Sequence, residues 1–284
     1  MADAKSPPDD PQRRDFLLNS ATGVVVGAGL VTACWPFINS MNPSSDVLSK
    51  ATTEASLKGI SLGESKKVLR QLGGIMPFYD RSIDIVLATH SDKDHIGGLP
   101  DVLERYNVGA AVVSGVESKT SIYSEFEKII DNKKIKKIFA RAGQIIWLSD
   151  DTYIEILFPD RSTIGWESNT ASVVARLVYG NTEFLFTGDS PKKIEKYLTA
   201  QYGEKLQSDV LKLGHHGSRT STSEIFLSAV SPQYAIISAG ENNRYGHPHK
   251  EVTDMLKDFE ISSLATYERG TIIITSDGEN VYVK

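Results

Sequence analysis

One stretch constrains the fold more than any other: Ile83-Asp84-Ile85-Val86-Leu87-Ala88-Thr89-His90-Ser91-Asp92-Lys93-Asp94-His95-Ile96-Gly97-Gly98. Its apolar, β-branched first half reads as a buried strand. Four potential metal ligands, His90, Asp92, Asp94 and His95, follow within six residues. Gly97 and Gly98 then open a helix expected from Leu99 to Arg105. A strand that ends in a ligand-dense loop before a helix places imidazoles and carboxylates at the carboxyl edge of a sheet, where α/β folds build their sites. Alternate residues of an extended segment point the same way, so His90, Asp92 and Asp94 converge, while His95 turns to a neighbouring position.

The His-x-Asp-x-Asp-His spacing followed by Ile96-Gly97-Gly98-Leu99-Pro100 resembles the signature of the metallo-β-lactamase superfamily, with Asp92 where a second histidine is usual. With Pro77-Phe78-Tyr79-Asp80 it resembles in particular the carboxy-terminal domain of ComEC-type competence proteins, from about Lys66 to Lys284. The resemblance implies an α/β fold, the αββα sandwich, holding two divalent metal ions. Its members begin the domain with a strand pair that has no counterpart after Lys66, so the amino-terminal strands are expected to be missing.

The other motifs follow the same pattern of strand, ligand and glycine. Thr187-Gly188-Asp189 ends a predicted strand, and by the family pattern Asp189 bridges the metals. In Gly214-His215-His216-Gly217, neighbouring side chains diverge, so one histidine binds metal and the other serves substrate or supports a ligand. We assign His215 to the metal and His216 to proton donation; the reverse stays open. In Asn243-Arg244-Tyr245-Gly246-His247-Pro248-His249, the family pattern gives His247 to the second metal, with His249 at a helix start. The expected ligand set is therefore His90, Asp92, Asp94, His95, Asp189, His215 and His247, with Asp94, Asp189 and His216 carrying the chemistry. All six histidines lie in these loops. Asn169-Thr170-Ala171-Ser172 stands where many superfamily members carry another metal-binding histidine. A site poorer in imidazole and richer in carboxylate tilts towards manganese or magnesium, with zinc also accommodated.

Between the motifs, strands are expected at 110–114, 136–140, 145–148, 153–158, 172–179, 182–186, 209–213 and 234–238, with 136–158 in a second sheet. Gly180-Asn181 reads as a hairpin turn. Helices are expected at 121–132, 224–230 and 251–259, and two closing strands at 271–275 and 281–283. Lys133-Lys134-Ile135-Lys136-Lys137 reads as a solvated helix-to-strand junction.

The amino-terminal part has a different character. Residues 1–15 form a polar leader ending in Arg13-Arg14-Asp15-Phe16-Leu17, which resembles a twin-arginine export signal. No charged residue occurs from Phe16 to Ser45, and residues 16–40 are long and apolar enough for one transmembrane helix. Lys5, Arg13 and Arg14 before it place the amino terminus inside and the hydrolase domain, 66–284, on the extracytoplasmic side of the cytoplasmic membrane. The same region, through Trp35-Pro36-Phe37 and the 41–65 linker, resembles the anchor and hinge of Rieske iron–sulfur subunits. A Rieske cluster needs two cysteines and two histidines, and Cys34 is the single cysteine. Electron transfer of that kind is excluded.

A net charge of −5 gives no global basic field to gather nucleic acid. The resemblance nevertheless implies DNA as substrate and phosphodiester hydrolysis linked to DNA uptake. Arg244 and Tyr245 suit a phosphate and a base. Two other readings compete: a hydrolase of a small ester or lactam, and an inert chimera carrying a Rieske-type anchor.

Overall fold

The computed structural model describes residues 21–26, 31–36, 64–77 and 79–284. Helix α1 (Glu64–Ile75) precedes β3 (Ser82–Ala88), the strand that carries the first motif. Two short helices follow, α2 (Lys93–Ile96) and α3 (Leu99–Arg105), and then β4 (Asn107–Val113), α4 (Ser121–Lys133) and β5 (Lys136–Phe139). Strands β3, β4 and β5 pair in parallel in that order.

The second sheet has seven strands. Strands β6 (Ile145–Trp147), β7 (Thr152–Phe158), β8 (Val174–Tyr179) and β9 (Thr182–Phe186) form an antiparallel meander. Gly180, at φ 56°, turns β8 into β9, as the Gly-Asn signal requires. After α5 (Lys192–Tyr202) the sheet continues in parallel through β10 (Val210–Lys212), β11 (Tyr234–Ile237) and β12 (Ser262–Ala265). Helices α6 (Glu224–Val230) and α7 (Lys250–Asp258) link those strands. The short α8 (Thr266–Arg269) leads to the antiparallel pair β13 (Ile274–Ser276) and β14 (Val281–Val283).

Period-two alternation with apolar residues on both faces builds four layers. In β3, Val86 and Ala88 pack outward on Leu99, Leu103, Phe126 and Ile130 of the helices, while Leu87 faces the opposite sheet. Between the sheets Leu87 and Val112 meet Ile156, Leu177, Phe184 and Phe186. On the far side Leu185 and Leu211 pack on Leu198, Phe226 and Leu256. This is the αββα sandwich.

Two expectations need correction. Residues 136–139 do not join the second sheet: Lys136–Phe139 pairs with Ala110–Val113 of the first. The α4 exit at Lys134 (φ 55°) returns the chain beside the strand it has just left, a parallel crossover. The lysine run is otherwise the expected junction, with Lys133 donating to the Leu103 and Glu104 carbonyls and Lys137 paired with Glu127.

The second correction concerns the amino terminus. Within the stretch expected to be a membrane helix, the described pieces are antiparallel strands, β1 (Ala21–Val26) and β2 (Val31–Pro36); the rest of 16–40 lies outside the described residues. Runs such as Val24-Val25-Val26 and Val31-Thr32 favour extended backbone. Strand β2 lies beside β3 and β1 beside β13, so a strand pair adjoins the first sheet where none was expected. Among the described residues no helix is long and apolar enough to cross a membrane.

Candidate metal centre

Four strand ends deliver the site. β3 ends in Thr89 and His90, β9 in Thr187-Gly188-Asp189, β10 in the loop Gly214–Gly217, and β11 in the loop that carries Asn243 and His247. Because β9, β10 and β11 are parallel neighbours, their carboxyl ends open at one edge. The backbone is bent sharply there. Gly188 has φ 54°, and a Cβ on it would meet Ser172 Cβ at 2.9 Å and Thr89 Cβ at 3.1 Å, so only glycine fits. His215 and His216 both adopt left-handed conformations, φ 47° and 57°, a cost of order 1–3 kcal/mol each that the surrounding packing sustains.

Asp94, His95, Asp189 and His216 each place one ligand atom within 4.8 Å of all the others. His95 Nε2 lies 3.1 Å from Asp189 Oδ1, and both atoms are buried without a hydrogen bond. His216 Nε2 lies 3.0 Å from Asp94 Oδ2 and 3.6 Å from Asp189 Oδ2. Its other nitrogen, Nδ1, donates to the Ser238 carbonyl at 2.6 Å, which leaves Nε2 with the lone pair. In the neutral ring, a lone pair that close to a carboxylate oxygen is an arrangement that a cation between them would satisfy. His90 Nε2, also buried and unbonded, lies 3.7 Å from Asp92 Oδ2 and 3.9 Å from Asp189 Oδ2. Asp189 thus turns one oxygen towards His95 and the other towards His90. The orphaned buried atoms and the mixed imidazole–carboxylate donor set fit a divalent metal.

The electrostatics agree. Burial, helped by neighbouring His95, lowers the His90 pKa to about 3, so the ring is neutral at physiological pH. Burial alone would raise Asp94, but the neighbouring His216 and His95 together outweigh it and take the carboxyl down to about 2. For Asp189 burial is likewise outweighed, here by His95, and the group sits well below the ordinary carboxylate range. Burial and His215 lower His247 to about 4. All four side chains are therefore in the protonation state that a metal requires.

The remaining expected residues surround this group. His215 Nε2 stands 3.9 Å from Asp189 Oδ2, with Nδ1 held at 3.1 Å by the Thr220 hydroxyl. The His247 ring packs 5.3 Å from that of His215 and stacks on His216 at 6.3 Å. Asn243 fixes the His247 backbone, accepting from its N–H at 3.0 Å and donating to its carbonyl at 2.5 Å. His249 is the N-cap of α7 and accepts from the Arg219 amide. Tyr245 is exposed at the rim, stacked on His247 at 5.7 Å with the Arg244 guanidinium 4.6 Å from its ring centre. Sequence reasoning missed the supporting hydroxyls of Thr89 and Ser172 and the buried Lys212 behind Asp189, whose ammonium donates to the Leu213 carbonyl. Each lies directly beside a motif, which is the available signal.

A four-layer αββα sandwich with a histidine–aspartate centre at its strand ends defines a metallo-hydrolase class, and the family model described as the metallo-beta-lactamase superfamily matches residues 79–241. The chain belongs to that superfamily. Its relatives include ComE operon protein 3 of Bacillus subtilis (strain 168), 32% identical over 68% of this chain and 24% of the relative. Competence protein ComA of Neisseria gonorrhoeae is 34% identical over 70% of this chain and 27% of the relative. The chain thus spans about a quarter of the length of these curated relatives. Residues 4–44 match a model described as the ubiquinol-cytochrome c reductase iron–sulfur subunit export signal. There the chain is similar to that subunit from Rhodospirillum rubrum, 43% identical over 22% of this chain and 33% of the relative.

Proposed function

We propose that this protein is a metal-dependent phosphodiesterase that cleaves DNA on the extracytoplasmic side of the cytoplasmic membrane. The observation that carries the proposal is the convergence of Asp94, His95, Asp189 and His216 on one point. Competence proteins among the relatives supply the link to DNA. In this reading Asp94, His95, Asp189 and His216 would hold one cation, and His90 and Asp92, with Asp189 between the two groups, would hold a second, with His247 and His215 flanking. Manganese or zinc suits this donor set, and magnesium is accommodated. When bound, the cations supply Lewis-acid polarisation of a phosphoryl oxygen and make water a competent nucleophile near neutral pH.

The chain's own groups do the rest. Asp92 and Asp94, each about half exposed, face the entry and orient the attacking water. The water gives up a proton to solvent at the half-exposed carboxylates as its oxygen adds to phosphorus, a phosphorus–oxygen ester bond breaks, and the leaving oxygen takes a proton. His216, expected as that donor, has both nitrogens committed, to Ser238 and towards Asp94 and Asp189. We therefore give the proton to His215, which is partly exposed and flanks the same carboxylate. Tyr245 and Arg244 at the rim receive a base and a phosphate.

The twin-arginine segment supports export, and the uncharged run behind it supports membrane attachment. The same residues cannot be the β1–β2 pair and a spanning helix at once. Alkaline extraction of membranes tests attachment: retention in the pellet supports it, and release refutes it. The activity is tested by incubating the purified chain with a single-stranded oligonucleotide, a nitrocefin-type lactam and a p-nitrophenyl ester, with manganese or with chelator. Cleavage of DNA alone supports the proposal; turnover of the lactam or ester alone replaces it.

A further inference from the structure

Ser172, with no exposed surface, is assigned no role in the chemistry above. Its Oγ lies 3.3 Å from His90 Nδ1 and accepts a hydrogen bond from the Asp189 backbone N–H at 3.0 Å. Thr89 Oγ1 lies 3.1 Å from His90 Nδ1 and 3.1 Å from His95 Nδ1. Two hydroxyls therefore serve two imidazoles and one amide.

Counting protons gives their role. A neutral imidazole carries one N–H, and the nitrogen without it is the ligand. For the buried, unbonded Nε2 atoms of His90 and His95 to offer lone pairs, both Nδ1 atoms must carry the proton. Three donors, the two Nδ1–H groups and the Asp189 amide, then need acceptors, and each hydroxyl oxygen has two lone pairs. Thr89 accepts from His95 and shares His90; Ser172 accepts from Asp189 and takes the other share of His90. Were a hydroxyl to donate to His90 Nδ1 instead, the ring proton would move to Nε2 and block the cation.

We infer that Ser172 is a positioning residue whose hydroxyl holds His90 as the Nδ1–H tautomer and ties that ring to the backbone of Asp189. The inference rests on the metal-centre reading above. It explains what stands at this position instead of a further histidine: an acceptor for a ligand rather than a ligand. The site is tight, since a Cβ at Gly188 would lie 2.9 Å from Ser172 Cβ, so serine offers the hydroxyl at the smallest volume.

The test is zinc affinity by chelator competition, with nitrogen-15 histidine spectra of the zinc-loaded full chain, for the natural protein and Ser172→Ala. Removing a partner of a ligating histidine costs about 10–100-fold in metal affinity. We expect that loss, with the metal-free melting temperature essentially unchanged and the His90 signals altered. Unchanged affinity and unchanged His90 signals in a folded variant overturn the inference. Should the variant not fold, the natural protein decides: a proton on His90 Nδ1 in the zinc form supports it, and a proton on Nε2 overturns it. A natural protein that folds and takes up no zinc instead overturns the metal-centre reading, and this inference falls with it.

Discussion

His216 Nε2 and Asp94 Oδ2 meet at 3.0 Å although 122 residues separate them in the chain. Neither atom brings a proton to the contact when His216 Nδ1 donates to Ser238. The two histidines of the Gly214–Gly217 turn therefore separate experimentally. His216→Ala should lower metal affinity about 10–100-fold. His215→Ala should keep its metal and lose about 10²–10⁴-fold in kcat, the range for a positioned acid. Metal content after gel filtration, beside turnover of an oligonucleotide, checks both.

Acid should destabilise the metal-free protein before its carboxylates titrate. His90 is held neutral with a pKa of about 3 against an unfolded value near 6.5. Between those values the unfolded chain binds the extra proton, so stability rises with pH and is lost as pH falls from about 6.5 towards 3. The slope for one such group approaches about 1.4 kcal/mol per pH unit. Below about 4, Asp94 and Asp189, both depressed in the fold, add losses of the same sign. Urea midpoints of chelator-treated protein from pH 7 to 4 measure this; a flat profile contradicts it.

Gly188 lies directly under the site, with positive φ and no room for a Cβ. Gly188→Ala should cost about 1–3 kcal/mol in backbone strain, and overpacking against Ser172 and Thr89 adds to it. At roughly 2–4 °C per kcal/mol for a domain of this size, the melting temperature falls by several degrees. Metal binding should weaken as well, because Asp189 follows directly. Thermal unfolding with and without manganese reads both effects.

Tyr245 is exposed and rests on His247, so a base can reach it without disturbing the ligands. Stacking of one base is worth about 1–3 kcal/mol. Tyr245→Ala should raise KM for a single-stranded oligonucleotide about 5- to 150-fold, kcat staying within about threefold. An abasic nucleotide at the cleavage site should show no such penalty from the substitution. Steady-state kinetics on the paired substrates decides.

Much of this was legible because the signals were local. The apolar run before Thr89, the glycine pair before Leu99 and the Gly180-Asn181 turn each specify their element within a few residues, and β3, α3 and the β8–β9 hairpin follow. Partnering was less legible. Lys136–Phe139 looks alike in either sheet, and the crossover after α4 places it in the first. Ala21–Pro36 is equally apolar as a span or as strands, and the described pieces are a strand pair beside β3 and β13. In the site, the strand-end histidines and aspartates that the fold brings together were readable from spacing. Which of His215 and His216 faces Asp94 was not, because it depends on the left-handed turn at both residues and on the Ser238 carbonyl beyond β11.

The central claim is a metal centre built on Asp94 and Asp189. The most direct measurement is metal per chain by elemental analysis after manganese or zinc loading and desalting, for the natural protein and the Asp94→Ala/Asp189→Ala double variant. The account predicts about two equivalents in the first and essentially none in the second, with both proteins folded. No bound metal in the folded natural protein, or an equal amount in the double variant, would contradict it.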